Sequence, residues 1–318
     1  MQPLLSIVIA NYNYGRFLDE AIQSVIAQDM GDKVELIICD AASNDNSVEV
    51  IKKYANGLPP NISYTDWINS SNHNSQTPPL ITWWCSEPDG GQSAAFNKGF
   101  SHATGRFLTW LNADDVLMPG TLKAFADAVQ KDREQEWFVG GVMWLTKDMR
   151  VIRCGCGRHM SRVRAEHGQL NVCGPSSFFS KNLYERAGKI DERHHYTMDT
   201  DLWLRFALNE GLSFKPFVRY AWGLRLHEDA KMSGHNFNPD GSLATNAFSD
   251  EALLRDAKKR MQLEREDAWT KEKLPTLKGK IGRFKDLFCV DYVPAIMSRI
   301  DTKRVRGMNY LKAMEIVG

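Results

Sequence analysis

No apolar run in this 318-residue chain approaches the roughly 18–20 residues needed for a membrane-crossing helix, which excludes a helical span. Excess charge is lacking as well. Forty Lys+Arg against 39 Asp+Glu leave a formal net charge of +1, so there is no chain-wide nucleic-acid footprint and no nucleic-acid partner is expected. The start, Met1-Gln2-Pro3-Leu4-Leu5, has no basic n-region and no small-residue cleavage site; the expectation is no signal peptide and a cytoplasmic location. The glycine fingerprint of a dinucleotide fold is missing, because the first turn reads Ala10-Asn11-Tyr12-Asn13-Tyr14-Gly15. No Walker A sequence occurs either, which counts against NAD and against P-loop ATP use.

Cysteine is scarce, with six residues. Cys39, Cys85, Cys173 and Cys289 stand singly, mostly in apolar runs, and read as buried thiols. Cys154 and Cys156 flank one glycine near His159, but C-x-C without a second paired set falls short of a four-ligand zinc site. What is present is ordinary for a globular protein: 43% hydrophobic and 25% charged residues, enough for a sizeable core and against wholesale disorder.

The first 115 residues alternate strand and helix. The runs Leu4–Ala10 and Val34–Cys39 are compact and apolar, as strands buried on both faces must be. Between them, Phe17, Leu18, Ala21, Ile22, Val25 and Ile26 recur at helical spacing over residues 16–28. A short helix over Ser47–Tyr54, strands over Ile81–Cys85 and Arg106–Leu111, and a helix over Gln92–His102 continue the alternation, which predicts a parallel sheet covered on both faces. Residues 56–80, rich in Asn, Ser and Pro and without a period, read as an insertion rather than a functional loop. Beyond residue 137 the pattern turns mixed. Trp137–Leu145 and Val151–Cys156 are expected as antiparallel strands joined around Lys147-Asp148-Met149-Arg150. Strands over Ser176–Ser180, Leu212–Phe217 and Tyr220–His227 and helices over Leu183–Ala187 and Asp201–Glu210 follow, and from about Asn246 the chain reads as helical.

In open α/β sheets ligands bind outside the carboxyl ends of the strands. Four strand ends here deliver Asn11-Tyr12-Asn13, then Asp40-Ala41-Ala42-Ser43-Asn44-Asp45, then Ser86-Glu87-Pro88-Asp89-Gly90-Gly91-Gln92, then Asn112-Ala113-Asp114-Asp115. Helix capping accounts for some of these residues but not for two adjacent carboxylates. Side-by-side carboxylates repel unless a positive group neutralises them, so Asp114-Asp115 is a place for a hard divalent cation, Mn2+ or Mg2+, with open positions for phosphate oxygens.

Taken together these stretches resemble the family 2 glycosyltransferases with the GT-A fold, over roughly residues 4–228. SIVIANYNYGRFLDEAIQSVIAQ resembles that family's opening strand and helix, and ELIICDAASNDNS its nucleotide loop. SEPDGGQSAAFNKGFSHATGRFLTWLNADD is similar to the stretch ending at its D-x-D motif, MDTDLWLRF to its E-D-x-D-L-W-L-R segment, and Leu224-Arg225-Leu226-His227 to its late histidine. The resemblance implies a Rossmann-like mixed open sheet: a domain over 1–230, with a nucleotide-binding half (1–115) and an acceptor-binding half (116–230), followed by a helical extension over 231–318. By resemblance, Ala10, Asn11 and Tyr12 would line the base and ribose pocket, and Asp40 would accept the imide N–H of a uracil. Asp89 and Lys98 would stand close to the nucleotide-sugar. Asn112 and Asp114 would flank the diphosphate, Asp114, Asp115 and His227 would hold the cation, and Asp199 would be the general base. Two departures stand out: Asn112 replaces the first aspartate of the D-x-D motif, and Met198 stands where a glutamate is common.

One base, one cation and no covalent nucleophile imply direct displacement with inversion, from a UDP-sugar (or a dTDP-sugar) to a saccharide or lipid-linked acceptor. Asp199 and Asp201 point about 200° apart on a helix, so only one can face the sugar; the other is a cap or a structural partner. Gly174-Pro175-Ser176-Ser177-Phe178-Phe179 would shape the acceptor side, and Trp203 reads as core rather than as a sugar platform. A sugar-1-phosphate nucleotidyltransferase would need a glycine-rich, basic first loop that Asn11–Arg16 does not supply. A scaffold that kept the fold without catalysis is the non-enzymatic alternative. Residues 271–312 hold 11 Lys+Arg and four Asp+Glu, with Ile281, Phe284, Leu287 and Phe288 on one helical face among Lys278, Lys280, Arg283 and Lys285. That stretch would either dock on an anionic membrane or pack on the catalytic domain or a second subunit in a homo-oligomer.

Overall fold

The structure is a computed structural model and describes residues 2–63, 66, 80–155, 165, 172, 174–194, 197–230 and 292–317. The larger sheet joins β1 (Leu5–Asn11), β2 (Val34–Asp40), β3 (Ile81–Ser86), β4 (Phe107–Asn112), β6 (Trp137–Val139), β9 (Ser177–Ser180) and β10 (Lys215–Pro216) in the order β10-β6-β9-β4-β1-β2-β3. The smaller joins β5 (Val116–Leu117), β7 (Val142–Thr146), β8 (Val151–Gly155) and β11 (Trp222–Leu226) in the order β5-β11-β7-β8. The helices are α1 (Gly15–Ile26), α2 (Ser47–Ala55), α3 (Gln92–His102), α4 (Thr121–Lys131), α5 (Lys181–Arg186), α6 (Met198–Leu208), α7 (Tyr292–Val305) and α8 (Tyr310–Val317).

The apolar runs are buried on both faces, as their continuity requires. Leu5, Ile7 and Ile9 of β1 pack with Leu18, Ile22 and Val25 of α1, while Val8, on the opposite face, packs with Phe96 and Phe100 of α3. Strands β4, β1, β2 and β3 run parallel, as the alternation predicts. Strand β9 then enters antiparallel to both β4 and β6, which makes the sheet mixed. The expected division at residue 115 is therefore bridged, because β6, β9 and β10 extend the sheet that β1–β4 begin.

One expected strand is two. Trp137–Leu145 breaks at Gly140-Gly141, so β6 stays in the large sheet and β7 joins the small one. A Cβ on Gly141 would lie 2.0 Å from the Arg219 carbonyl oxygen and 2.7 Å from that of Gly155, so only glycine admits this close passage of three backbones. The hairpin around residues 147–150 forms as expected, with β7 antiparallel to β8. Leu212–Phe217 contributes only the two-residue β10.

At the carboxyl end of the chain, α7 and α8 lie on the small sheet. Val305, Ala313 and Val317 share a core with Met118, Met143 and Leu145. The Val151 N–H donates to the Met308 carbonyl at 2.8 Å, and the Tyr310 N–H to that of Met149 at 2.9 Å. Asp301, fully buried, accepts from the Tyr220 hydroxyl and from Arg219 Nη2 at 2.8 Å. Over residues 292–312 the tail packs one side on the small sheet. Residues 271–291, most of the 56–80 insertion, and Cys156, His159, Cys173 and Cys289 lie outside the described residues. Cys39 and Cys85 are buried free thiols, as expected, and Cys154 is buried too.

Candidate functional site

Register brings the strand ends into one row. Asn11 pairs with Asp40, Asp40 with Ser86, and Ala10 with Asn112. Above that row is a cavity of about 680 Å³ lined by Ala10, Asn11, Tyr12, Asp89, Asn112, Asp114, Asp115 and Asp199. Eight of the eleven residues expected at the site thus share one cavity.

The other three do not line it. Asp40 is buried one layer beneath. Its carboxylate accepts from Asn11 Nδ2 at 2.6 Å, from the Ser43 N–H at 3.0 Å and Oγ at 2.5 Å, and from Ser86 Oγ at 2.6 Å. It therefore orients Asn11, whose Oδ1 is buried beside the cavity with no protein partner among the described residues. Lys98 lies off the cavity, where Glu87 takes its ammonium at 2.9 Å and raises its pKa. His227 is buried behind Asp114, its Nε2 3.0 Å from Asp114 Oδ2.

The two adjacent carboxylates differ. Asp115 points inward, accepting from the Arg225 N–H at 2.8 Å on Oδ1 and from Asn112 Nδ2 at 2.7 Å on Oδ2. Burial, and then the charge of Asp114, pushes its pKa well above the usual carboxylate range. Asn112 is fixed in turn, because its Oδ1 accepts from Gln92 Nε2 at 3.1 Å. A charged first residue at 112 would set a third carboxylate against Asp115; the amide instead supplies the donor that Asp115 needs. Among the described residues no three acidic, His or Cys side chains converge as a metal cage.

Asp114 Oδ2 and His227 Nε2, hydrogen-bonded at 3.0 Å, are also near enough to be adjacent ligands of one cation. Two ligands at about 2.1 Å from one octahedral ion stand about 3.0 Å apart, which is their separation. Mg2+-type sites characteristically use one or two protein ligands and take the rest from phosphate and water. The Tyr14 hydroxyl donates to the Asp229 carbonyl at 2.7 Å, and burial, then the charge of Asp114, pushes its pKa upward.

Asp199, also on the cavity lining, stands in the first turn of α6. The Thr200 N–H donates to Asp199 Oδ1 at 2.6 Å, and Oδ2 faces Gly174 closely enough that a Cβ there would touch it at 3.4 Å. Asp201 points away, accepting from Arg205 Nε at 2.9 Å and Nη2 at 2.6 Å. Trp203 is fully buried, stacked on Trp110 with centroids 5.3 Å apart. Sequence reading missed Gln92, Tyr14, Trp110 and Arg225 as lining residues. Gln92 and Tyr14 lie in or beside strand ends already singled out, whereas Trp110 and Arg225 carry no spacing signal and reach the cavity through tertiary packing.

Residues 6–144 match the family model described as Glycosyl transferase family 2. An uncharacterized glycosyltransferase of Nostoc sp. (strain PCC 7120) is 36% identical over 126 residues, which cover 40% of this chain and 33% of that protein. Minor teichoic acid biosynthesis protein GgaB of Bacillus subtilis (strain 168) is 31% identical over 119 residues, 37% of this chain and 11% of that protein. The chain thus spans a third or less of the length of these two curated relatives. Among solved structures, residues 1–349 of S. aureus TarS in complex with UDP-GlcNAc align with a TM-score of 0.49 at 16% identity, covering 75% of this chain and 62% of that one.

Proposed function

From the match of residues 6–144 to glycosyl transferase family 2, we propose that the chain is an inverting, metal-dependent glycosyltransferase. It moves a sugar from a UDP-sugar to a hydroxyl of a saccharide or lipid-linked acceptor in surface polysaccharide assembly. The observation that carries this reading is one cavity lined by both Asp114, backed by His227 at 3.0 Å, and Asp199. The similarity to GgaB, a minor teichoic acid biosynthesis protein, agrees in chemical class.

In this reading residues 1–115 hold the donor and 116–230 the acceptor. Asn11, oriented by Asp40, keeps its unpaired Oδ1 for a base N–H, with Ala10 and Tyr12 completing that end. Asp89, whose Oδ1 accepts the Gly91 N–H at 2.7 Å, stands over the donor sugar. Asp114 and His227 would hold Mn2+ or Mg2+ beside the donor's diphosphate, and Asp115 serves as the strut that brings their two strands together. When bound, the cation supplies Lewis-acid stabilisation of the departing diphosphate charge. Asp199 accepts the acceptor hydroxyl's proton as that oxygen attacks the anomeric carbon, and the cavity walls keep the two in line. Met198 beside it carries no charge.

The test is a thermal-shift panel of UDP, dTDP, GDP, CDP and NAD with and without Mn2+, followed by transfer assays with UDP-sugars. Ligands that bind only the folded state raise the melting temperature. Stabilisation by UDP that depends on Mn2+ and disappears in Asp114→Ala supports the reading. No shift with any nucleotide returns the choice to a non-catalytic scaffold.

A further inference from the structure

Docking on the small sheet consumes one face of α7 and leaves the other to solvent. Asp301 and Val305 point inward, and Thr302 Oγ1 accepts the Cys154 N–H at 3.0 Å. The outward positions of this segment are Arg299, Lys303, Arg304 and Arg306, and α8 adds Lys312; all five are exposed. Residues 292–317 hold no other Lys or Arg, and their two acids are Asp301, consumed inside, and Glu315. Among the described residues none of the five cations forms an ion pair, whereas Asp301 pairs with Arg219. The fold adds another cation. Arg150, at the start of the β8 arm, donates from Nη1 to the Gly307 carbonyl at 3.1 Å, beside Arg306. Assembling like charges without carboxylates costs stability unless an anionic surface repays it. Two large aliphatic side chains stand exposed among these cations, Ile300 at 43% and Leu311 at 51%.

We propose that this outer face of α7 and α8 is a docking surface for an anionic membrane. Unpaired cations attract acidic headgroups, and aliphatic side chains among them gain by entering the headgroup boundary. A nucleic-acid partner would use the cations but would have no use for Ile300 and Leu311. The inference does not rest on the donor-site reading; it would hold equally for a chain without transferase activity. If both hold, the docked face keeps the catalytic cavity near a lipid-linked acceptor.

The experiment is co-sedimentation of the full chain with vesicles of phosphatidylcholine alone or mixed with phosphatidylglycerol, at low and high ionic strength. Binding is expected only to the mixed vesicles, and it should weaken as salt screens the charges. Each cation contributes about fivefold in partition, so Arg299→Gln, Lys303→Gln and Arg304→Gln together should cost about a hundredfold. Ile300→Ser with Leu311→Ser should weaken binding at unchanged charge. An Arg306→Gln, Lys312→Gln pair gives an independent loss should the triple variant fold poorly, and each variant's melting temperature monitors folding. Equal binding to neutral vesicles would overturn the proposal. So would a well-folded triple variant that binds as the native chain does, which would move the attraction to other cations such as those of residues 271–291. Displacement by a DNA duplex with no effect of the Ile300/Leu311 change would assign the face to nucleic acid instead.

Discussion

Asp115 accepts the backbone N–H of Arg225 at 2.8 Å and so fastens the end of β4 to β11 two residues before His227. Its neighbour Asp114 meets the side chain of that same His227. Adjacent in sequence, the two carboxylates do opposite work: one is a buried strut and the other faces the cavity.

The two should therefore respond differently to removal. Asp115→Ala leaves two buried donors unpaired, the Arg225 N–H and Asn112 Nδ2, at about 1–3 kcal/mol, and should lower the melting temperature with or without ligand. Asp114→Ala relieves the repulsion that raises Asp115 but leaves the buried His227 Nε2 without its partner, so the ligand-free melting temperature should change less than in Asp115→Ala while the Mn2+-dependent part of the UDP shift vanishes. Thermal scans of both variants with and without Mn2+ and UDP decide it.

Asp199→Asn removes the proposed base but keeps the shape of the α6 start. Turnover should fall by about 10²–10⁴, the usual worth of general-base catalysis, with the UDP thermal shift intact. Asp201→Asn should reverse that profile, because it breaks a largely buried ion pair with Arg205 and should cost stability before turnover. Parallel kcat and melting measurements separate them, and a base role for Asp199 fails if its variant turns over normally.

Gly141→Ala tests the crossing between the sheets. The new methyl would sit 2.0 Å from the Arg219 carbonyl, so strand β7 or the approach to β11 must shift, at about 1–3 kcal/mol or more. Chemical denaturation should show a lower midpoint. Because β11 leads to His227, Mn2+ affinity should weaken as well.

Acid stability has a local source in Asp45. Burial alone would raise its pKa, but hydrogen bonds from the Ser47 hydroxyl, the Gly15 N–H and the Ser47 N–H outweigh it, leaving the folded value below the unfolded one. A depressed carboxylate contributes stability above its unfolded pKa, roughly 3.9, and loses it as pH falls through the folded value. Asp45→Asn should therefore flatten the fall in stability below about pH 4 relative to the native chain. It should also cost about 1 kcal/mol at neutral pH, since Asp45 caps α1 from another segment. Urea midpoints at neutral and acidic pH measure both effects.

How much could be read in advance depended on whether a signal was local. The double-sided apolar runs of β1 and β2, the stripe of α1 and the bounds of α3 over Gln92–His102 follow from periodicity, and the structure places them within a residue or two of expectation. The opposed directions of Asp199 and Asp201 follow from helix geometry and are borne out by the Asp201–Arg205 pair. The split of Trp137–Leu145 was not legible, because the apolar pattern runs through Gly140-Gly141 and only the backbones of Arg219 and Gly155 make the break necessary.

By itself the sequence determined the four strand ends, their polar residues and the side of the sheet on which they lie, since alternation and strand direction leave no other arrangement for buried parallel strands. The tertiary structure decided which of those residues face outward. Asp40 sank beneath Asn11, Lys98 turned to Glu87, and Asp115 turned to Arg225, over 100 residues away in the chain. The physical reason is that a buried polar group must find its partner wherever packing brings one, and those partners arrive on strands and helices that no local spacing announces.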